Sequence, residues 1–137
     1  MLRVAIVEDS LRDAEQLTSC LQRFSRKHGS EIEIQRYENA LLFLQGYKGN
    51  FDIIFMDHMM PEMDGIETLE KFRERGGECN ANTPFIVLTA NAVQGVKQMF
   101  IDHGFQDYLS KPMDMGELDR LLERYLPEGK ILWVDKS

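Results

Sequence analysis

The chain predicts an α/β domain of the (βα)5 type, a doubly wound five-stranded parallel sheet with helices on both faces. Five short apolar runs alternate with amphipathic stretches of helical period. Three of those runs are almost unbroken Val, Ile, Leu and Phe, as central parallel strands covered on both faces must be. A length of 137 residues suffices for one core without disulfide or metal staples.

RVAIV (Arg3 to Val7) reads as the first strand and runs into Glu8 and Asp9. Leu11, Ala14, Leu17, Leu21 and Phe24 then recur at helical spacing; Asp9 or Ser10 caps this helix and Gly29 ends it. IEIQRY (Ile32 to Tyr37) alternates apolar and polar residues, which suits an edge strand, and ENALLFLQGY makes the second helix. IIFM (Ile53 to Met56) is a buried strand that delivers Asp57 to the surface, with the turn residues MPEMDG close behind. Ile66, Leu69 and Phe72 mark the third helix, and FIVLT (Phe85 to Thr89) the fourth strand. NAVQGVKQMFIDHG forms the fourth helix, weakened by Gly95, and DYLS (Asp107 to Ser110) the fifth strand. Leu118, Leu121, Leu122 and Tyr125 line the last helix, which Pro127 closes. Right-handed crossovers place helices on both faces, and ligands of such sheets bind beyond the strand C-termini where strand order reverses.

Apolar content of 43% and charged content of 28% are those of a globular protein, and no run of about 18 apolar residues marks a membrane span. The N-terminus lacks the pattern of a cleaved signal, so the expected location is cytoplasmic, without membrane insertion. A net charge of −7 argues against direct nucleic-acid binding through a basic face. Cys20 and Cys79 match no metal or redox spacing and read as reduced thiols. His28, His58 and His103 read as surface residues, and Met59, Met60 and Met63 as loop or packing residues.

The strand ends carry the chemistry. Glu8 and Asp9 follow the first strand, Asp57 the third, Thr89 ends the fourth, and Ser110, Lys111 and Pro112 lie at the fifth. Three carboxylates held close together repel one another unless one keeps a proton or a cation sits among them. Oxygen-only ligands favour Mg²⁺ or Mn²⁺, ions that keep waters and take phosphate. Thr89 would donate to a phosphoryl oxygen and Lys111 would supply a compact positive charge, leaving Asp57 as the nucleophile.

The motifs IVEDS, IIFMDHMMPEMDG, FIVLTANA and DYLSKP, in that order, resemble the signature of the response-regulator receiver domain, the CheY-like phospho-acceptor module of two-component signalling. The resemblance runs from Leu2 to about Leu126, making 1–126 the receiver domain and 127–137 a tail or the start of a truncated segment. It implies a flavodoxin-like strand order 2-1-3-4-5. It also implies phosphorylation of Asp57, Mg²⁺-dependent, by a histidine kinase or a histidine phosphotransfer domain. Asp9 and Asp57 would be direct metal ligands, Glu8 would act through metal-bound water, and the Met59 backbone carbonyl would complete the set. Thr89 and Lys111 would bind the phosphoryl group, Lys111–Pro112 would be a cis peptide, and Met59 and Asn91 would influence phosphoryl lifetime. Thr89 and Tyr108 would form the switch that remodels the surface of the fourth helix, fifth strand and fifth helix for a downstream protein or a covalently linked domain. Homodimerisation through that face is left open; RFSRKHG and FDIIFMD resemble receivers of transcriptional regulators, whereas LTANA and DYLSKPMD resemble receivers of hybrid histidine kinases, the group the chain is more similar to.

Three other readings compete with this one. A haloacid-dehalogenase-type phosphatase wants a second aspartate two residues after the first, where DHM has Met59, so turnover of an outside substrate is not expected. A flavodoxin-type electron carrier needs a hydroxyl-rich and glycine-rich first loop, and EDSLRD would repel the flavin phosphate. A vestigial receiver serving as a constitutive interaction module is the third, although every site residue is present. The chain leaves no room after Leu126 for an effector domain and reads as a stand-alone receiver or a piece of something larger. Its tail KILWVDKS (Lys130 to Ser137) echoes RVAIVEDS, either as the first strand of a second, degenerate receiver or as an apolar packing segment.

Overall fold

The computed structural model describes residues 2–29, 31–46, 51–58, 64–74, 83–90, 94–111 and 115–125. Met59, Asn91, Pro112, Cys79 and the tail 127–137 lie outside the described residues. In chain order the elements are β1 Leu2–Val7, α1 Leu11–His28, β2 Ile32–Tyr37, α2 Ala40–Gly46, β3 Ile53–Asp57, α3 Gly65–Glu74, β4 Phe85–Thr89, α4 Gln94–Asp102, β5 Asp107–Ser110 and α5 Met115–Tyr125. All strand pairs are parallel, in the order β2-β1-β3-β4-β5. The expected order, and the edge position of β2, are therefore what the structure has.

The unbroken apolar runs follow from two cores, one on each sheet face. Leu2, Val4, Ile6, Ile53, Phe55, Ile86, Leu88 and Leu109 pack with Leu17, Leu21 and Phe24 of α1 and Leu118 and Leu122 of α5. The alternate residues Ala5, Val7, Ile54, Met56, Phe85 and Val87 pack with Phe43 of α2, Leu69 and Phe72 of α3 and Phe100 of α4. Because side chains alternate along a strand, each central strand must be apolar at every position.

Element ends differ from the sequence reading by a residue or a few, for local reasons. β1 starts at Leu2, whose backbone N–H donates to Glu31 O at 2.8 Å. β3 extends through Asp57, in register with Leu88 of β4. α2 begins at Ala40 because the Asn39 side chain accepts from Leu42 N at 2.8 Å, and α4 stops at Asp102 before Gly104, whose φ is 110°. Ser10 caps α1, its hydroxyl accepting from Asp13 N, and Gly29 ends it in the left-handed region at φ 65°.

Two expectations fail. Leu11 does not belong to the apolar stripe; as the first residue after the Ser10 cap it points outward and is 58% exposed. His28 is not a surface residue: it is 2% exposed, four residues after Phe24 on the buried face of α1, with the two ring centroids 4.3 Å apart. His103 is exposed, whereas His58 is half-buried with its ring edge-on to Phe100.

Gly65 fixes how α3 leaves the sheet. Its N–H donates to His58 O at 2.9 Å, and a Cβ there would lie 2.9 Å from Asp57 O and 3.3 Å from His58 Cα. Backbone atoms cannot step aside as a side chain does. Gly65→Ala is expected to lower stability in urea unfolding by about 1–3 kcal/mol, and Gly46→Ala by less, because its Cβ would meet only the Tyr37 ring. A Gly65→Ala protein as stable as the wild type would show that the chain after Asp57 is not so constrained.

Candidate functional site

Side-chain alternation also builds the site. Glu8, Asp57 and Lys111 each stand two residues beyond an apolar residue of the α1/α5-facing core, namely Ile6, Phe55 and Leu109. The carboxylates therefore emerge on one side at the strand C-termini. Glu8 is 0% exposed and Asp57 4%, while Asp9 is exposed. One carboxylate oxygen from each of Glu8, Asp9 and Asp57 fits within 4.8 Å of the others.

Lys111 reaches into this cluster. Its ammonium donates to Glu8 Oε2 at 2.7 Å, Asp57 Oδ1 at 2.9 Å and Asp13 Oδ2 at 3.2 Å, so all three N–H donors have a carboxylate. The chain at Lys111 is itself anchored, its backbone N–H donating to Thr89 O at 2.9 Å. Thr89 is buried at the end of β4, on the opposite parity from Leu88, and Ser110 pairs with it on β5. The structure thus brings Glu8, Asp9, Asp57 and Lys111 together and places Thr89 on the same rim.

Two contributors were not recognised in the sequence. Asp13, one turn into α1, is a third acid on the Lys111 ammonium; the only hint was its place in EDSLRD. Arg36, on the edge strand β2, donates from Nη2 to Glu8 O at 3.1 Å and Asp9 O at 3.3 Å, and from Nε to Glu8 O at 3.3 Å. Its guanidinium fork holds the backbone that carries both loop acids. No local sequence pattern could announce a side chain that binds backbone carbonyls 27 and 28 residues away.

Burial dominates the electrostatics. It pushes the Glu8 carboxyl up to about 7, a rise that the Asp57 charge reinforces and the Lys111 ammonium opposes. Burial likewise raises Asp57 above the usual carboxylate range, again against Lys111. Burial alone would lower Lys111, but its bonds to Glu8 and Asp57 outweigh this and hold the ammonium above its ordinary range. Oxygen donors alone, two of them buried and reluctant to carry unbalanced charge, fit a hard divalent cation.

A carboxyl titrating higher in the folded than in the unfolded state means that the folded protein binds more protons between pH 4.5 and about 7. Its stability must then fall as pH rises through that window. Metal-free wild type is expected to lose on the order of 2 kcal/mol between about pH 5 and about pH 8, relative to Glu8→Gln. Equal pH slopes for the two proteins in denaturant titrations with EDTA would refute this.

The Response regulator receiver domain family model matches residues 4–123. The signal transduction histidine-protein kinase BarA of Escherichia coli K12 is 42% identical over 81 residues, 59% of this chain and 9% of that protein. Hybrid signal transduction histidine kinase M of Dictyostelium discoideum is 34% identical over 127 residues, 88% of this chain and 5% of the relative. The chain thus spans less than a tenth of either relative. Among solved structures, the receiver domain of sensor histidine kinase PA1611 from Pseudomonas aeruginosa, with a magnesium ion coordinated in its active site cleft, is 26% identical. It superposes with a TM-score of 0.75, covering 90% of this chain and 96% of that one. With its sheet order, its acid-and-lysine rim and a family match over most of its length, the chain belongs to the response regulator receiver domains of two-component signalling.

Proposed function

We propose that this receiver accepts a phosphoryl group on Asp57 from a phosphohistidine on a histidine kinase or phosphotransfer domain, and turns over no outside substrate. The observation that carries this is the Asp57 carboxylate, buried at the end of β3 yet held by the Lys111 ammonium at 2.9 Å. An Asp57 oxygen forms the new P–O bond as the P–N bond breaks, and the histidine nitrogen takes the bonding electron pair. Glu8, Asp9 and Asp57 would hold Mg²⁺ or Mn²⁺, with the Met59 carbonyl as a further donor. The bound cation supplies charge neutralisation for the phosphoryl oxygens. Lys111 opposes the rise that burial imposes on the Asp57 carboxyl before transfer and would then bind a phosphoryl oxygen, as would the Thr89 hydroxyl.

Output would run through Thr89 and Tyr108. Tyr108 pairs with Val87 on β4 and packs with the same core as that residue, so Thr89 and Tyr108 share a sheet face. In this structure Tyr108 is half-buried, with the Lys97 ammonium 4.4 Å from its ring centroid. A cavity of about 230 Å³ beside it is lined by Lys97, Ser110, Arg120 and Leu121 among others. Movement of Thr89 toward a phosphoryl group would free space for the tyrosine and change the α4-β5-α5 surface that a downstream protein or linked domain reads.

Intact mass after incubation with acetyl phosphate and Mg²⁺ tests the transfer. Wild type is expected to gain one phosphoryl group, and Asp57→Asn or EDTA-treated protein none. A folded wild type that binds Mg²⁺ but takes no adduct would replace this reading with that of a constitutive interaction module.

A further inference from the structure

Asp13 is the one acid on Lys111 that the proposed cation site leaves unused. Glu8 and Asp57 are claimed twice: they accept from the Lys111 ammonium at 2.7 Å and 2.9 Å, and they form the oxygen cluster with Asp9. An ammonium and a divalent ion repel each other and compete for the same carboxylates. A cation bound among these acids would draw on the same carboxylates as the ammonium and weaken its hold on both. Asp13 offers the alternative: its Oδ2 lies 3.2 Å from the ammonium, outside the Glu8–Asp9–Asp57 cluster, and its side chain is 32% exposed. It is also well anchored, because its backbone N–H donates to the Ser10 cap at the start of α1.

We propose that Asp13 is a positioning residue that retains the Lys111 ammonium at the rim of the site, so that Glu8 and Asp57 are released to a divalent cation while Lys111 stays within reach of Asp57. This rests on the cation site proposed above. Two plainer roles compete with it. Asp13 could act only as one more negative charge attracting cations, or only as an acid favourable to the N-terminus of α1. Neither plainer role depends on Lys111.

A double-mutant cycle read by Mg²⁺ affinity separates them. Calorimetric titration with Mg²⁺ alone, at fixed ionic strength, would compare wild type, Asp13→Asn, Lys111→Met and the double variant. Thermal unfolding in EDTA would confirm that each is folded, and Lys111→Gln would complete the cycle if the methionine variant does not fold. Asp13→Asn is expected to weaken Mg²⁺ binding about three- to tenfold when Lys111 is present, and by less than about twofold when it is absent. Asp13→Glu should recover part of the loss. Equal losses in both backgrounds, or no loss in either, would overturn the proposal while leaving the cation site standing. Mg²⁺ binding indifferent to Asp57→Asn would remove the cation site, and the role of Asp13 with it.

Discussion

Two carboxylates taken out of water at the end of a parallel sheet have to be balanced, and the Lys111 ammonium does so for Glu8 and Asp57 together. Without it the two buried charges would repel, and each would bear its desolvation cost alone. That requirement explains much of the surrounding architecture. β5 is separated from β3 by β4 and from β1 by β4 and β3, so at about 4.8 Å per strand the distances are too long for a short side chain. A long flexible stem ending in a compact charge spans them, whereas the rigid fork of arginine would commit to one carboxylate. The Lys111 backbone bond to Thr89 O brings the stem to its starting point.

Strand alternation then divides the labour between the two faces. Glu8, Asp57 and Lys111 continue the series that packs on α1 and α5, which is why an α1 residue, Asp13, can join them. Thr89 and Tyr108 continue the other series, which packs on α2, α3 and α4. A change at the acids could reach the second face by way of β4, whose end carries Thr89 on one side and whose backbone carbonyl holds Lys111 on the other. The proposed switch thus needs no long chain of intermediaries, since site and surface are the two sides of one strand end.

The sheet was legible because burial on both faces leaves a signal at every residue of β1, β3 and β4, and strand ends followed from where that signal stops. Glu8, Asp9, Asp57, Thr89 and Lys111 could be found for the same reason, each standing where an apolar run gives way. Leu11 misled because it keeps helical spacing at the first position of α1, directly after the Ser10 cap, where the side chain is exposed and the buried stripe has not yet begun. His28 misled in the opposite sense: a polar side chain held a stripe position, and its ring is covered by Phe24 while its Nε2 lies 3.8 Å from Glu123 of α5. Asp13 and Arg36 act through partners distant in sequence, so nothing local marked them. Met59, Asn91 and Pro112 lie outside the described residues and stay as the resemblance left them.

The same balance would set how tightly the proposed site holds a cation. A cluster of bare acids would bind a divalent ion strongly, but here the ammonium already satisfies the two buried members, and burial pushes the Glu8 carboxyl up to about 7. A cation in the proposed site would therefore compete with a bonded ammonium and with protonation of Glu8, and each competition would subtract from its affinity. By linkage, whatever stabilises the displaced ammonium must strengthen cation binding to the same degree. The proposed phosphoryl exchange would be served by such a site, because the metal-free state is internally satisfied and the side chain proposed to meet the phosphoryl oxygens already stands beside Asp57.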